Sequence, residues 1–172
     1  SVLQCVPTSS HGPNDHKIEG VGLTESRERT LVTGFPGQLA RAVHSRMADE
    51  IGAFHFVSRN ELNITDKKQV DSMLQLGEFS WVLNAAAYTA VDRAEQEPSE
   101  AGFVNGFGPR VLAESCRQNS VRLAHVSTDF VFDGTSCSPI RPDEKTNPVS
   151  EYGRSKLAGE EAVLEILGVE AL

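Results

Sequence analysis

From Thr30 onward, apolar and polar positions fall into alternating blocks with two different periods. Thr30-Leu31-Val32-Thr33 is a short, largely apolar run stopped by Gly34, as expected of a buried parallel strand. From Gly37 to Met47 the spacing of Leu39, Val43 and Met47 is helical. Phe54-His55-Phe56-Val57 predicts a second strand. Thr65 and Asp66 are capping residues before a helix that carries Val70, Met73, Leu74 and Leu76. Trp81-Val82-Leu83, closed by Asn84, predicts a third strand, and Val121 to Val126 a fourth. Pro98 to Asn119 reads as one long helix. It is weakened by Pro109 and by Gly102, Gly106 and Gly108, each glycine costing roughly 1 kcal/mol. Phe130 to Ser150 is rich in Pro, Gly, Asp and Ser and predicts a loop before a last helix from about Glu151 to Leu167. Strands alternating with helices predict an α/β fold, a Rossmann-like doubly wound parallel sheet built from right-handed crossovers.

Residues 1–29 break this pattern. Thr8, Ser9, Ser10, Gly12, Pro13 and Asn14 come in quick succession and no period is sustained, which predicts a flexible arm or linker ahead of a domain over 30–172. The 172 residues suffice for a core without disulfide staples. The three cysteines, Cys5, Cys116 and Cys137, are odd in number and far apart. They suggest a reducing, cytoplasmic setting rather than a disulfide framework or a zinc site. No run of 18 apolar residues occurs, so no membrane span is expected. A formal net charge of −8 argues against nucleic-acid partners, which need basic surface. It does not oppose a phosphate-bearing small molecule, because backbone N–H groups bind phosphate without formal charge.

In a parallel sheet, ligands bind beyond the carboxyl ends of the strands, so those ends hold the candidate chemistry. After the first strand, Gly34-Phe35-Pro36-Gly37-Gln38-Leu39-Ala40 combines two flexible glycines, a helix N-terminus and a small third residue. That pattern fits a pyrophosphate cradle, although an ordinary strand-to-helix turn explains it equally well. After the second strand come Ser58 and Arg59. An acid there would hold ribose hydroxyls, whereas an arginine accommodates an extra ribose phosphate, so the pair leans towards NADPH. The third strand ends in Asn84-Ala85-Ala86-Ala87-Tyr88-Thr89, a bare backbone against which a flat ligand could lie. The fourth ends in Ser127-Thr128-Asp129, residues that also cap turns routinely. On the last helix Tyr152 and Lys156 are four apart and share one face. An ammonium near a phenol favours the phenolate and brings a proton donor towards the neutral range. Each signal is weak alone; their order along the chain, each at a strand end or on the helix after it, is what points to a dinucleotide site.

The chain from Thr30 to Leu172 resembles the extended short-chain dehydrogenase/reductases, and among them the dTDP-4-dehydrorhamnose reductase family. The resemblance rests on Gly34-x-x-Gly37-Gln38-Leu39, on the run from Asn84 to Asp92, on Ser127-Thr128-Asp129-Phe130-Val131-Phe132-Asp133-Gly134, and on Tyr152 to Glu160. It implies NADPH or NADH as hydride donor and reduction of the C4 ketone of dTDP-4-dehydro-L-rhamnose to dTDP-L-rhamnose. By the same resemblance Tyr152 is the proton donor, Lys156 binds the nicotinamide ribose, and Thr128 hydrogen-bonds the carbonyl oxygen. Asp129, Thr89 and Val91 lie near the sugar. Gly34, Gly37, Gln38 and Leu39 hold the pyrophosphate, Ala85, Ala86 and Tyr88 lead to the nicotinamide, and Asn63 and Ile64 line the adenine side. The chain departs from the pattern at Ala40 for a third glycine, Pro36 in the phosphate loop, Ser58 for an acid and Phe130 for a tyrosine. Ala42 stands where some relatives place a metal-bridging glutamate, so no metal is expected. Family members run on into a C-terminal substrate domain that is missing here, so the domain over 30–172 is expected to be the cofactor part of a longer enzyme. The arm could link it to a fused or partner epimerase. A more distant resemblance to the regulatory beta subunit of methionine adenosyltransferase implies a non-catalytic alternative; another nucleotide-sugar reductase or epimerase is the third.

Overall fold

The computed structural model describes residues 29–49 and 52–168. The expected arm over 1–29, with any link to an epimerase, therefore lies outside the described residues except for Arg29. Four parallel strands, β1 (Thr30–Thr33), β2 (Phe54–Val57), β3 (Trp81–Asn84) and β4 (Arg122–His125), form one sheet in the order β2-β1-β3-β4. The winding reverses between β1 and β3, which is where a ligand crevice opens in such a sheet. The registers Thr33↔Asn84 and Asn84↔His125 align the last residues of three neighbouring strands in one row.

The helices follow local signals. Helix α1 (Gln38–Arg46) starts at Gly37 and buries Ala40, whose small side chain lets it lie close on the sheet. Asp66 caps α2 (Lys67–Gly77), accepting from the N–H groups of Lys68 and Gln69. A short α3 (Val91–Ala94), not anticipated from the pattern, leads into α4 (Pro98–Gly102). The helix expected over Pro98 to Asn119 is not continuous: a π-turn over Phe103–Phe107 separates α4 from α5 (Gly108–Asn119). Two of its glycines have a packing reason. A Cβ on Gly106 would stand 3.3 Å from Ala158 Cβ, and one on Gly108 would stand 2.7 Å from Ile64 Cδ1. The fourth strand is also shorter than expected, because the chain leaves the sheet at Val126 to reach a 3-10 turn over Asp129–Val131. Ser150 caps α6 (Glu151–Leu167), its hydroxyl accepting from the Gly153 N–H.

The main core lies between the sheet and the helices around Leu31, Val70, Val82, Val111, Leu112 and Leu123, all at most 2% exposed. A smaller cluster joins Ala94 and Ala101 to Tyr152, with Tyr88 and Val91 packed against it. That cluster seats the N-terminus of α6 on the segment that follows β3. Among the described residues, no helix is long and apolar enough to cross a membrane.

Candidate functional site

A cleft of about 720 Å³ opens at the carboxyl ends of β1, β3 and β4. Its walls take Gly34, Gly37, Gln38 and Leu39 from the first turn, Arg59, Asn63 and Ile64 from beyond β2, Ala85, Ala86 and Thr89 from beyond β3, and Tyr152 and Lys156 from α6. Twelve of the residues singled out in the sequence thus meet in one cleft, although they come from four separate segments.

The glycine turn is dictated by its protein neighbours. Gly34 sits at φ +84°, and a Cβ there would lie 2.6 Å from the backbone of Ala85 and Ala86. Its bareness lets the loops after β1 and β3 touch. The Gly37 N–H donates to Gly34 O at 2.8 Å and is not free for a ligand. The first turn of α1 has no side-chain cap and no acidic residue, so its leading N–H groups and positive dipole end suit an anion.

A hydrogen-bonded row fixes the strand ends. Asn84 Oδ1 accepts from Thr33 Oγ1 at 2.6 Å and from the Ala86 N–H at 3.2 Å. The Ala86 N–H can only donate, so the Asn84 amide nitrogen must face His125 Nδ1, 2.9 Å away. His125 therefore accepts at Nδ1 and carries its hydrogen at Nε2. Burial, with the positive charge of Lys156 as a smaller cause, pushes its pKa down to about 3 and keeps it neutral. Among the described residues, His125 Nε2 and Ser127 Oγ are buried without a protein partner, which concentrates spare hydrogen-bonding capacity at the β4 end.

Lys156 is 3% exposed, and its ammonium donates to Val126 O at 2.6 Å. Burial lowers its pKa to about 8, opposed by the carboxylate of Glu160. Two further ammonium N–H bonds remain for a ligand. Tyr152 lines the same cleft, its ring packed edge-on against Phe130 at 5.5 Å. Helix α6 approaches closely because Gly153 and Gly159 lack side chains; a Cβ on Gly153 would lie 2.3 Å from Phe130 O. Taken together, free helix N–H groups, a buried ammonium with spare donors and an unpartnered hydroxyl suit a phosphate-bearing, polyhydroxylated ligand.

Five expected residues stand elsewhere. Ser58 does not line the cleft; its N–H and hydroxyl both donate to Glu61 Oε2, at 2.8 and 2.7 Å. Tyr88 turns its phenol to Glu97, 2.6 Å away, and Val91 begins α3 and packs towards Tyr152. Thr128 Oγ1 accepts from the Phe130 N–H and donates to Asp129, both at 3.3 Å, so these two side chains serve the 3-10 turn beside the cleft.

The strand-end reading also passed over several residues. Val126 supplies the carbonyl that anchors Lys156, and it lines the cleft together with Ser127 of the strand-end run already noted. Asn105, 1% exposed in the π-turn, accepts from Tyr88 N–H and donates to Tyr88 O and Ser155 Oγ; Ser155 in turn donates to Tyr152 O. One amide thereby ties the segment after β3 to the helix bearing Tyr152. An asparagine among the glycines of an interrupted helix was the available signal.

The dTDP-4-dehydrorhamnose reductase of Streptomyces griseus is 45% identical over 141 residues, 82% of this chain and 46% of that protein. The dTDP-4-keto-6-deoxy-D-glucose reductase of Streptomyces niveus is 41% identical over 140 residues, 81% of this chain and 49% of that one. The crystal structure of dTDP-4-dehydrorhamnose reductase from Bacillus anthracis in complex with NADP superposes with a TM-score of 0.78 at 32% identity, covering 81% of this chain and 50% of that one. The chain thus spans about half the length of the relatives it matches. A family model for the RmlD substrate binding domain matches residues 28–171, so with its parallel sheet and its cleft the chain belongs to that family.

Proposed function

We propose that residues 30–172 are the NAD(P)-binding part of a reductase that converts the C4 ketone of dTDP-4-dehydro-L-rhamnose to the alcohol of dTDP-L-rhamnose. The carrying observation is that Tyr152 and the buried ammonium of Lys156 share one cleft with the glycine turn and the open N-terminus of α1. The named relatives, reductases of dTDP-linked keto sugars, support the substrate class. The NADP complex of the Bacillus anthracis relative supports NADPH as cofactor, with NADH the alternative. A cytoplasmic setting accords with Cys116 and Cys137, which are free thiols.

The first turn of α1 and the glycine loop take the pyrophosphate, Asn63 and Ile64 the adenine side, and Ala85 and Ala86 the way to the nicotinamide. A bound nicotinamide dinucleotide supplies the hydride that reaches the ketone carbon. Tyr152 gives its phenolic proton to the carbonyl oxygen, so that C=O becomes CH–OH. Lys156 holds the ribose hydroxyls and stabilises the phenolate left behind. Thr128 stabilises charge on the oxygen as it forms; its 3.3 Å bond to Asp129 is long and easily redirected. Thr89, Val91 and Asp129 flank the sugar.

The test is NADPH oxidation by the intact protein with dTDP-4-dehydro-L-rhamnose. Replacing Tyr152 by Phe should lower kcat by roughly 10²–10⁴-fold while leaving NADPH binding close to wild type. Undiminished turnover in that variant would remove Tyr152 from the reaction.

A further inference from the structure

The end of β2 is where a dinucleotide site distinguishes a ribose 2′-hydroxyl from a 2′-phosphate. Both donors of Ser58 are already committed to Glu61. Arg59 alone turns to the cleft. Its guanidinium has an acidic neighbour from a distant element: Nη2 lies 3.7 Å from Oε1 of Glu100, on α4. With the two side chains 76% and 49% exposed, such a pair does little for stability. Its effect on a ligand is a separate matter. A phosphate monoester carries about −1.5 to −2 charges near neutral pH. Drawn to Arg59, it must come up against the carboxylate of Glu100; a 2′-hydroxyl, being uncharged, meets no such repulsion.

We infer that Glu100 is a specificity-determining residue: by sharing Arg59 it weakens the preference for the 2′-phosphorylated dinucleotide and lets NADH compete with NADPH. This rests on the reading of the cleft as a dinucleotide site. The sequence hides the device, because Glu100 lies 41 positions after Arg59 on a helix of its own. On residues 58 and 59 alone, NADPH is favoured without opposition; in the structure the opposing charge is in place.

The test is calorimetric titration of the intact protein with NADPH and with NADH, for wild type, Glu100→Gln, Arg59→Ala and the double variant, at low and high salt. Glu100→Gln should tighten NADPH roughly 3–10-fold at low salt, with a smaller gain at high salt as screening shortens the reach of the carboxylate. NADH affinity should stay within about twofold, since its 2′-hydroxyl carries no charge for Glu100 to repel. In the Arg59→Ala background the same change should tighten NADPH by less, because the phosphate is no longer drawn to that corner. An unchanged ratio of NADPH to NADH affinity in Glu100→Gln overturns the inference and leaves the dinucleotide reading standing. Failure of the wild type to bind either dinucleotide overturns both.

Discussion

Lys156 is held where its charge is costly. Its pKa is lowered to about 8 by burial, so between there and the ordinary lysine value of 10.5 the folded state binds fewer protons than the unfolded chain. Stability from this residue is therefore complete above pH 10.5 and is lost as pH falls through about 8. At neutral pH the fold carries a buried ammonium at a cost, and Lys156→Met should be the more stable protein. The expected gain at pH 7 is about 1–3 kcal/mol, with the lost bond to Val126 O set against the relieved desolvation. The gain should fade as pH approaches 10.5, and denaturant titrations of both proteins at several pH values would show it. His125 works in a lower window. Its pKa is lowered from 6.5 to about 3, so its contribution is intact above pH 6.5 and is lost as pH falls through about 3.

Helices α5 and α6 and the π-turn show where glycine is required and where it is incidental. A Cβ on Gly159 would lie 2.2 Å from Asn105 O, a backbone atom that cannot swing away. Gly159→Ala should therefore destabilise by about 1–3 kcal/mol and loosen the tie between Asn105 and the Tyr152 helix. Gly102 is the contrast: it is helical, with nothing within 4 Å of an added Cβ. Gly102→Ala should stabilise by up to about 1 kcal/mol. Thermal melts of the two variants should move in opposite directions; equal shifts would mean that the close approach of α6 to the π-turn is wrong. In the interrupted helix over Pro98 to Asn119, the π-turn presents Asn105 to both Tyr88 and Ser155.

For the molecule taken together, the cleft draws on the ends of β1, β3 and β4 and on helices α1 and α6, so its occupancy reports on the whole sheet. A dinucleotide that binds only the folded chain at about 100 times its Kd adds about 2.7 kcal/mol. For a chain of this size that corresponds to a rise in Tm of roughly 5–10 °C. Thermal denaturation of the intact protein with saturating NADPH measures it, and an unmoved Tm would count against the cleft as the cofactor site. The net charge of −8 sets the background for this encounter. An acidic surface repels a phosphorylated ligand at long range, so attraction has to be local, from helix N–H groups, Arg59 and Lys156.

How much was legible beforehand differs between fold and site. Periodicity placed the strands at Thr30, Phe54, Trp81 and near Val121, the helix starts at Gln38 and Lys67, and the pairing of Tyr152 with Lys156, because these depend on neighbours within a turn or two. Twelve residues picked out by motif order line one cleft, since a parallel sheet collects its strand ends on one edge. What a side chain does at that edge depends on partners far away in sequence, and there local reasoning stopped. Ser58 is claimed by Glu61 and Tyr88 by Glu97, Thr128 is turned to its own 3-10 turn, and Val126 is a lysine anchor through a backbone oxygen that carries no sequence signature. By itself the sequence determined the strands, most of the helices, the sheet class and the edge on which the strand ends collect. Only the tertiary structure decided which donors remain free for a ligand, because burial and long-range hydrogen bonds exist only once the strands are side by side.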